Sequence, residues 1–357
     1  MGIPVSTNNR LALRNSRRLS RVNLGSLGFV VLCALAFWPL ASSSQSSSSK
    51  ASSRNPKASS PARELDASPR PGQKTFSSPQ EASAALEGAA RKNDEDTLVL
   101  ILGPDAKEVI LWTDAPADRR DETAAFAQKY AEMHRLVREP DREVTLYIGA
   151  ENWPLPIPLV EKNGVWFFDI EDGKKEILYR RIGENELDAI AACRSLADAE
   201  KEYFAASAPS PANREFADKF ESAPGQHDGL YWPTASNAPQ SPVGPRLADA
   251  NFDQAGHVPF HGYLFRVLTK QGSVAPGGAK NYMADGRMKG GFAFVAFPAQ
   301  YRSSGVMTFL VGQSGIVFER DLGNETESIA EGMTQFNPTP GWRKVPADEL
   351  QAELRRQ

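Results

Sequence analysis

Apolar and polar residues change their spacing several times along this 357-residue chain, and each change predicts an element. In PQEASAALEGAARKND, Ala82, Ala85, Leu86 and Ala89 recur at helical spacing. They follow Ser78-Pro79-Gln80-Glu81, a capping box with proline at the first helical position. Asp94 caps a second short helix, EDTLVLIL, which stops at Gly103-Pro104. The spacing of Phe126, Tyr130, Met133 and Val137 predicts a third helix over Glu122–Arg138. After Pro140 the period falls to two. EVTLYIG reads as a strand and WPLPIPLVEKNGVWFFDI as a hairpin turning at Asn163-Gly164, with Trp153, Trp166, Phe167 and Phe168 in the core beneath it. Pro154, Pro156 and Pro158 occupy alternate positions, which predicts a strand paired on one side and stripped of donors on the other.

A second set of elements begins near Gly183. ENELDAIAACRSLADAEKEYFAA is a long helix with Leu187, Ile190, Cys193, Leu196, Ala197, Tyr203 and Phe204 on one broad face. The preceding EDGKKE and the earlier EKNG read as turns carrying solvated charge. NREFADKFES reads as a short helix with Phe216 and Phe220 four apart, and PGQHDGLYWP as a loop. Four strands follow: GYLFRVL, GGFAFVAFP, GVMTFLV and GIVFERD, the last two joined by a small polar turn. The fold class predicted is α+β. It comprises N-terminal helices plus a curved antiparallel sheet over residues 73–182, then a long helix plus a small antiparallel sheet over residues 183–343, with a tail at 344–357.

Charge and composition add what lies before these elements. Nine of the 41 basic residues precede Glu64 and none of the 44 acidic ones do, which leaves 32 against 44 and a net charge of −12 from there on. An acidic folded part repels phosphate, so nucleic acid is not an expected partner. Residues 1–41 have the layout of an export signal: a basic Arg10–Arg21, then the apolar Leu24–Leu40, with ALA (34–36) and Ala41-Ser42-Ser43 as small-residue cleavage sites. Cleavage is preferred over an uncleaved anchor, which would attach the protein to the inner membrane through residues 24–40. Residues 42–72 are Ser-rich and almost free of apolar side chains, the composition of a disordered tether. The expected location is periplasmic or secreted. Cys33 and Cys193 are the two cysteines, so signal removal leaves Cys193 alone, without a disulfide and in an apolar helical pattern that suits a buried structural thiol.

Two fold resemblances follow from these stretches. SPQEASAALEGAARKNDEDTLVLIL followed by GVWFFD resembles the cone-shaped nuclear transport factor-like and cystatin-like α+β folds. The AACRSLADAEKEYFAA helix, with GYLFRVL, FAFVAFPAQY and GVMTFLVGQSGIVFERDLG, resembles the globular part of type IV pilins and pseudopilins. A whole domain stands between Leu40 and Glu184, however, so this chain is not expected to polymerise through that helix. Across the chain, FSSPQEA, NWPLPIPLV, GVWFFD, GKKEILYRRIGENEL, HDGLYWP, HGYLFRVL, APGGAKNYMADGRMKGGFAFVAFPAQY and GVMTFLV together resemble the uncharacterised bacterial family called domain of unknown function 2950, over about Lys74 to Arg343. That likeness implies an exported bacterial protein and assigns no activity.

The search for chemistry turns up one loop. GQHDGLYWP (225–233) gathers His227 and Asp228, candidates for acid–base work, with Tyr231 and Trp232, candidates for stacking on a sugar or peptide. The competing reading, which is preferred, is an Asp-Gly turn whose aromatics cover a helix pair. HVPFH sets His257 and His261 four apart, but Pro259 argues against a helix, and in extended chain the two stand about 13 Å apart. No metal and no cofactor are expected. The overall expectation is a non-catalytic binding or scaffolding module whose partner is an envelope protein or glycan; the alternative is an envelope hydrolase or glycan-active enzyme using the 225–233 loop.

Overall fold

The structure is a computed structural model, and it describes residues 67–107, 116–140, 143–234 and 240–346. The export signal, most of the Ser-rich tether and tail residues 347–357 lie outside these ranges. The architecture is α+β, with two hydrophobic cores joined by one long helix.

Helices α1 (Pro79–Arg91), α2 (Glu95–Leu102) and α3 (Pro116–Glu132) open the first part. Ser78 accepts from the Glu81 N–H at 3.2 Å, while the Glu81 carboxylate reaches back to the N–H and hydroxyl of Ser77 at 2.9 and 2.7 Å. Ala82, Leu86 and Ala89 are buried as their spacing predicts. Asp94 caps α2 by accepting from the Thr97 N–H at 3.0 Å. The third helix starts earlier than predicted and stops at Glu132. Its expected last turn is instead β1 (His134–Arg138), which pairs along its whole length with β2 (Val144–Ile148). The break has a tertiary cause: the Gly149 N–H takes both terminal carbonyls, Lys129 at 3.0 Å and Met133 at 2.9 Å. Val137 therefore sits at strand spacing, although its distance from Tyr130 also fits a helix.

The sheet continues through β3 (Trp153–Pro154), β4 (Leu159–Lys162) and β5 (Val165–Phe168), in the order β1-β2-β4-β5 with β3 beside β2. Asn163 and Gly164 at φ +55° and +80° make the tight hairpin turn between β4 and β5. Trp153, Trp166, Phe167 and Phe168 are all buried. The prolines do not share one strand, contrary to expectation. Only Pro154 lies in β3; the chain then bends, the Leu155 N–H donating to Leu146 O and Pro158 O accepting from the Asp169 N–H.

EDGKKE is helical rather than a turn. It forms the start of α4 (Ile170–Ala206), 37 residues capped by Asp169, which accepts from the N–H groups of Glu171 and Asp172. Gly173 is a packing glycine: a Cβ there would lie 2.7 Å from the Ile157 side chain. At 1.5 Å per residue α4 is about 55 Å long. Its first turn joins the first core at Ile170, and its second half joins the second core from Ala189 to Tyr203. Cys193 is fully buried, and burial pushes its thiol to about 12.

The second core lies between α4 and an antiparallel sheet. Its strands are β6 (Tyr263–Leu268), β11 (Ala293–Pro298), β12 (Met307–Gly312), β13 (Val317–Asp321) and β15 (Arg343–Lys344), in the order β15-β13-β12-β11-β6. The predicted terminal hairpin is β12–β13, from Met307↔Asp321 to Val311↔Val317. Between β6 and β11 the chain makes β7 (Lys270–Gln271), β8 (Lys280–Asn281), β9 (Met283–Ala284) and β10 (Arg287–Met288). The short helices α5 (Pro245–Ala248) and α6 (Thr326–Gly332) and strand β14 (Gln335–Phe336) complete it, β14 running parallel to β7.

Mid-helix polar side chains tie α4 to the loop between β11 and β12. Glu186 Oε1 accepts from the N–H groups of Val306 and Met307 at 2.9 and 3.0 Å, Asn185 donates to Ser304 O at 2.8 Å, and Arg181 to Ser303 O at 3.2 Å. Glu186→Ala leaves two amides without an acceptor and should cost about 1–3 kcal/mol in equilibrium urea unfolding, with Glu186→Gln close to wild type because one oxygen remains.

Candidate functional site

The predicted short helix over NREFADKFES is an irregular, partly extended segment. Phe216 bridges to Met288 and stacks on Phe204 at 4.4 Å, and the fully buried Phe220 meets Phe294 edge-on at 5.6 Å. Between them the Ala217 N–H donates to Glu200 of α4 at 3.0 Å, so the amide that would close a helical turn is used elsewhere.

This segment carries the 225–233 loop. The Ser222 N–H donates to Tyr231 O at 2.8 Å and the Tyr231 N–H to Phe220 O at 2.7 Å, which closes the loop at its base. Gly229 is required there, since a Cβ would stand 2.8 Å from the Glu221 carbonyl carbon. Gly225, at φ +75°, turns the chain at the tip.

The four candidate side chains fall into separate environments. Asp228 is half-exposed: its carboxylate meets Lys219 Nζ at 2.6 Å and accepts from the Ala223 N–H at 2.9 Å, and the Lys219 contact first, then that backbone bond, hold it below the usual range. His227 turns outward, and its exposed ring lies flat on Trp232, with centroids 4.3 Å apart and planes 18° from parallel. No hydrogen bond joins the His227 ring to Asp228 among the described residues. The His227 carbonyl accepts from the Tyr203 hydroxyl at 3.2 Å, and burial raises that phenol to about 12. Tyr231 and Trp232 are half-buried against the second core, with Trp232 Nε1 buried and without a hydrogen-bond partner. The hydrogen-bonded turn of the loop lies at Pro224-Gly225, where the Gln226 N–H donates to Ala223 O at 2.8 Å, and not at the expected Asp228-Gly229; Tyr231 and Trp232 pack on the second core, and the ring stacked on Trp232 is that of His227.

Beside the loop lies a groove of about 290 Å³, lined by Asp218, Lys219, Asn251, Asp253, Arg266 and Thr334 among others. Lys219 belongs to both features. Arg266 is anchored on the floor by Asp253 at 2.9 Å and by the Glu331 carbonyl. Its two cations each have a carboxylate partner, while Asp218 is exposed at the edge. Such a groove offers hydrogen bonds and local charge to a polar ligand. Sequence reasoning missed it. The one available signal was Arg266, a charged residue within the otherwise apolar GYLFRVL.

His257 and His261 have separate partners: His257 stands beside Phe252, and His261 Nδ1 meets Asp188 at 2.6 Å. Among the described residues no three His, Cys, Asp or Glu side chains gather as a metal site.

The fold and the loop define an α+β protein with two cores on one helix and an aromatic step beside a polar groove. The chain belongs to the family described as Protein of unknown function (DUF2950), which it matches over residues 73–345. No curated protein and no solved structure matches it.

Beneath the loop, Glu200 is fully buried; one oxygen takes the Ala217 N–H and the other has no partner. Burial raises this carboxyl well above its ordinary 4.5, so it stays protonated in the fold where the unfolded chain ionises. The unfolded state then binds fewer protons, and this group's contribution to stability falls as pH rises above that value, by at most about 1.4 kcal/mol per pH unit. Glu200→Gln should raise the melting temperature more at pH 8 than at pH 5; an equal shift at both would contradict this assignment.

Proposed function

We propose that this is an exported bacterial envelope protein that works as a non-catalytic binding or scaffolding module, its partner an envelope protein or glycan. The observation that carries this reading is the stacked His227–Trp232 pair. Tyr203 holds the His227 backbone, and the Asp228–Lys219 pair pins the loop behind it, so the aromatic step is preformed. A preformed flat surface binds a sugar or peptide face without a large ordering cost. The neighbouring groove supplies polar contacts.

A hydrolase centred on the same loop needs His227 oriented by a carboxylate. Asp228 is committed to Lys219 and the Ala223 amide, and His227 does not line the groove. The geometry therefore favours binding. Export rests on the basic, apolar and small-residue order of residues 1–41, and the acidity of the folded part agrees with a partner other than nucleic acid.

The test is retention of the purified protein on isolated cell-wall glycan and on crosslinked envelope fractions. His227→Ala, an exposed change, should lower retention about tenfold while the melting temperature stays put, and Trp232→Ala should lower it further. Catalytic turnover of the glycan by wild type, lost in His227→Ala with the fold intact, would replace this reading with the hydrolase.

A further inference from the structure

We infer that the outer edge of β1 is a second interaction surface, one that adds an extended, acidic segment of a partner protein as a new strand. The inference concerns the first core and stands apart from the His227–Trp232 step.

Register shows which backbone groups are open. The Glu139 N–H donates to Glu143 O at 2.8 Å, and the same register pairs Val137 with Thr145 and Arg135 with Tyr147. In an antiparallel ladder, hydrogen-bonded pairs alternate with non-bonded ones. Arg135, Val137 and Glu139 thus bond to β2, while the N–H and C=O groups of His134, Leu136 and Arg138 point to the open side. The far side of β2 agrees, since Leu146 O there accepts from the Leu155 N–H at 2.7 Å.

Other strand edges are closed. β5 is bridged by Phe76, whose N–H and C=O both bond to Trp166 at 2.8 Å. β6 is covered by the 250–252 segment through Phe252 N–H to Phe265 O and Phe265 N–H to Ala250 O, each 2.8 Å. β13 is covered by β15. Among the described strands of four or more residues, β1 alone has no strand or bridge on its outer side. It carries no proline and no bulge; Leu136 packs on the first core, and Arg138 on the same face lies over the Trp166 ring, 5.4 Å from its centroid.

Charge selects the occupant. His134 and Arg138 are exposed and share one face of the strand, with Leu136 between them; the His134 ring stacks on Tyr130 at 3.9 Å and Arg138 lies over Trp166, each with its outer side still open to solvent, and Arg135 is on the other face. This basic edge belongs to a part of the chain that carries a net −12. A second copy is a poor fit, because two-fold pairing centred on Leu136 sets His134 opposite Arg138 at both ends. A partner strand with carboxylates four residues apart on one face, flanking an apolar residue, matches all three positions. Strand addition then supplies main-chain hydrogen bonds, and the side chains supply selectivity.

The experiment uses the full chain and two synthetic peptides, Thr-Glu-Thr-Val-Thr-Glu-Thr and the same peptide with lysine for glutamate. Amide-resolved hydrogen exchange should show His134, Leu136 and Arg138 slowed at least about tenfold by saturating acidic peptide, with the inward Val137 amide unchanged and no effect of the lysine peptide. Leu136→Pro removes an outward donor and no bond to β2, so it should fold and lose the protection. Arg138→Glu, the second variant, should weaken the acidic peptide and favour the lysine one. Absence of protection by the acidic peptide, or equal protection by both peptides, overturns the assignment. So does protection without peptide that grows with protein concentration, which would make a second copy the occupant.

Discussion

Everything in this protein leans on the continuity of α4. A helix of 37 residues has no stable existence in water from propensity alone, and this one includes Gly173 and Gly183. It persists because its two ends are buried in two different cores and its middle is fastened sideways. Ile170 and Gly173 seat the first turns on the proline-rich bend. Ala189 to Tyr203 form one wall of the second core. In between, Glu186, Asn185 and Arg181 give their polar ends to the loop after β11. Each core orders the helix that the other needs.

The candidate site inherits its rigidity from the same helix. Glu200 and Tyr203, within the last two turns of α4, reach out to the Ala217 amide and the His227 carbonyl. These contacts hold an irregular chain that has little regular structure of its own. A buried, protonated carboxyl is an expensive clasp, but it draws one amide out of helical geometry and so aligns the segment that bears Asp218, Lys219 and the loop. The aromatic step and the groove therefore sit on an element anchored in a core, which is the arrangement a binding surface requires.

Much of this fold was legible in the sequence, and what was not has identifiable causes. The capping of α1 and α2, the Asn163-Gly164 turn and the β12–β13 hairpin follow from local chemistry, so local reading found them. Three elements were decided at a distance. The end of α3 is set by the Gly149 amide, the irregular course of 214–222 by Glu200, and the helicity of EDGKKE by Asp169 and by the space that Gly173 leaves for Ile157. Tyr130, Met133 and Val137 fit the helical period and HRLVR does not alternate, so spacing alone pointed to helix. At the site, the sequence named the His227–Trp232 loop but paired His227 with its neighbour Asp228; in the fold His227 stacks on Trp232 and Asp228 pairs with Lys219. The groove was invisible because Asp218, Asp253 and Arg266 come from three separate segments.

The two cores also divide the molecule's exposure. The second covers the edges of its larger sheet, at β6 with the 250–252 segment and at β13 with β15, and presents side chains; the first leaves one strand of backbone open. Both surfaces depend on one helix keeping the cores together. The most direct test is native-state hydrogen exchange as a function of urea, comparing amides of β2 and β4 with amides of β11 and β12. If α4 makes one cooperative body, the most protected amides of both sets open with the same free energy and the same urea dependence. If the two sets open at separate free energies, the helix is a mere connector and the account is contradicted.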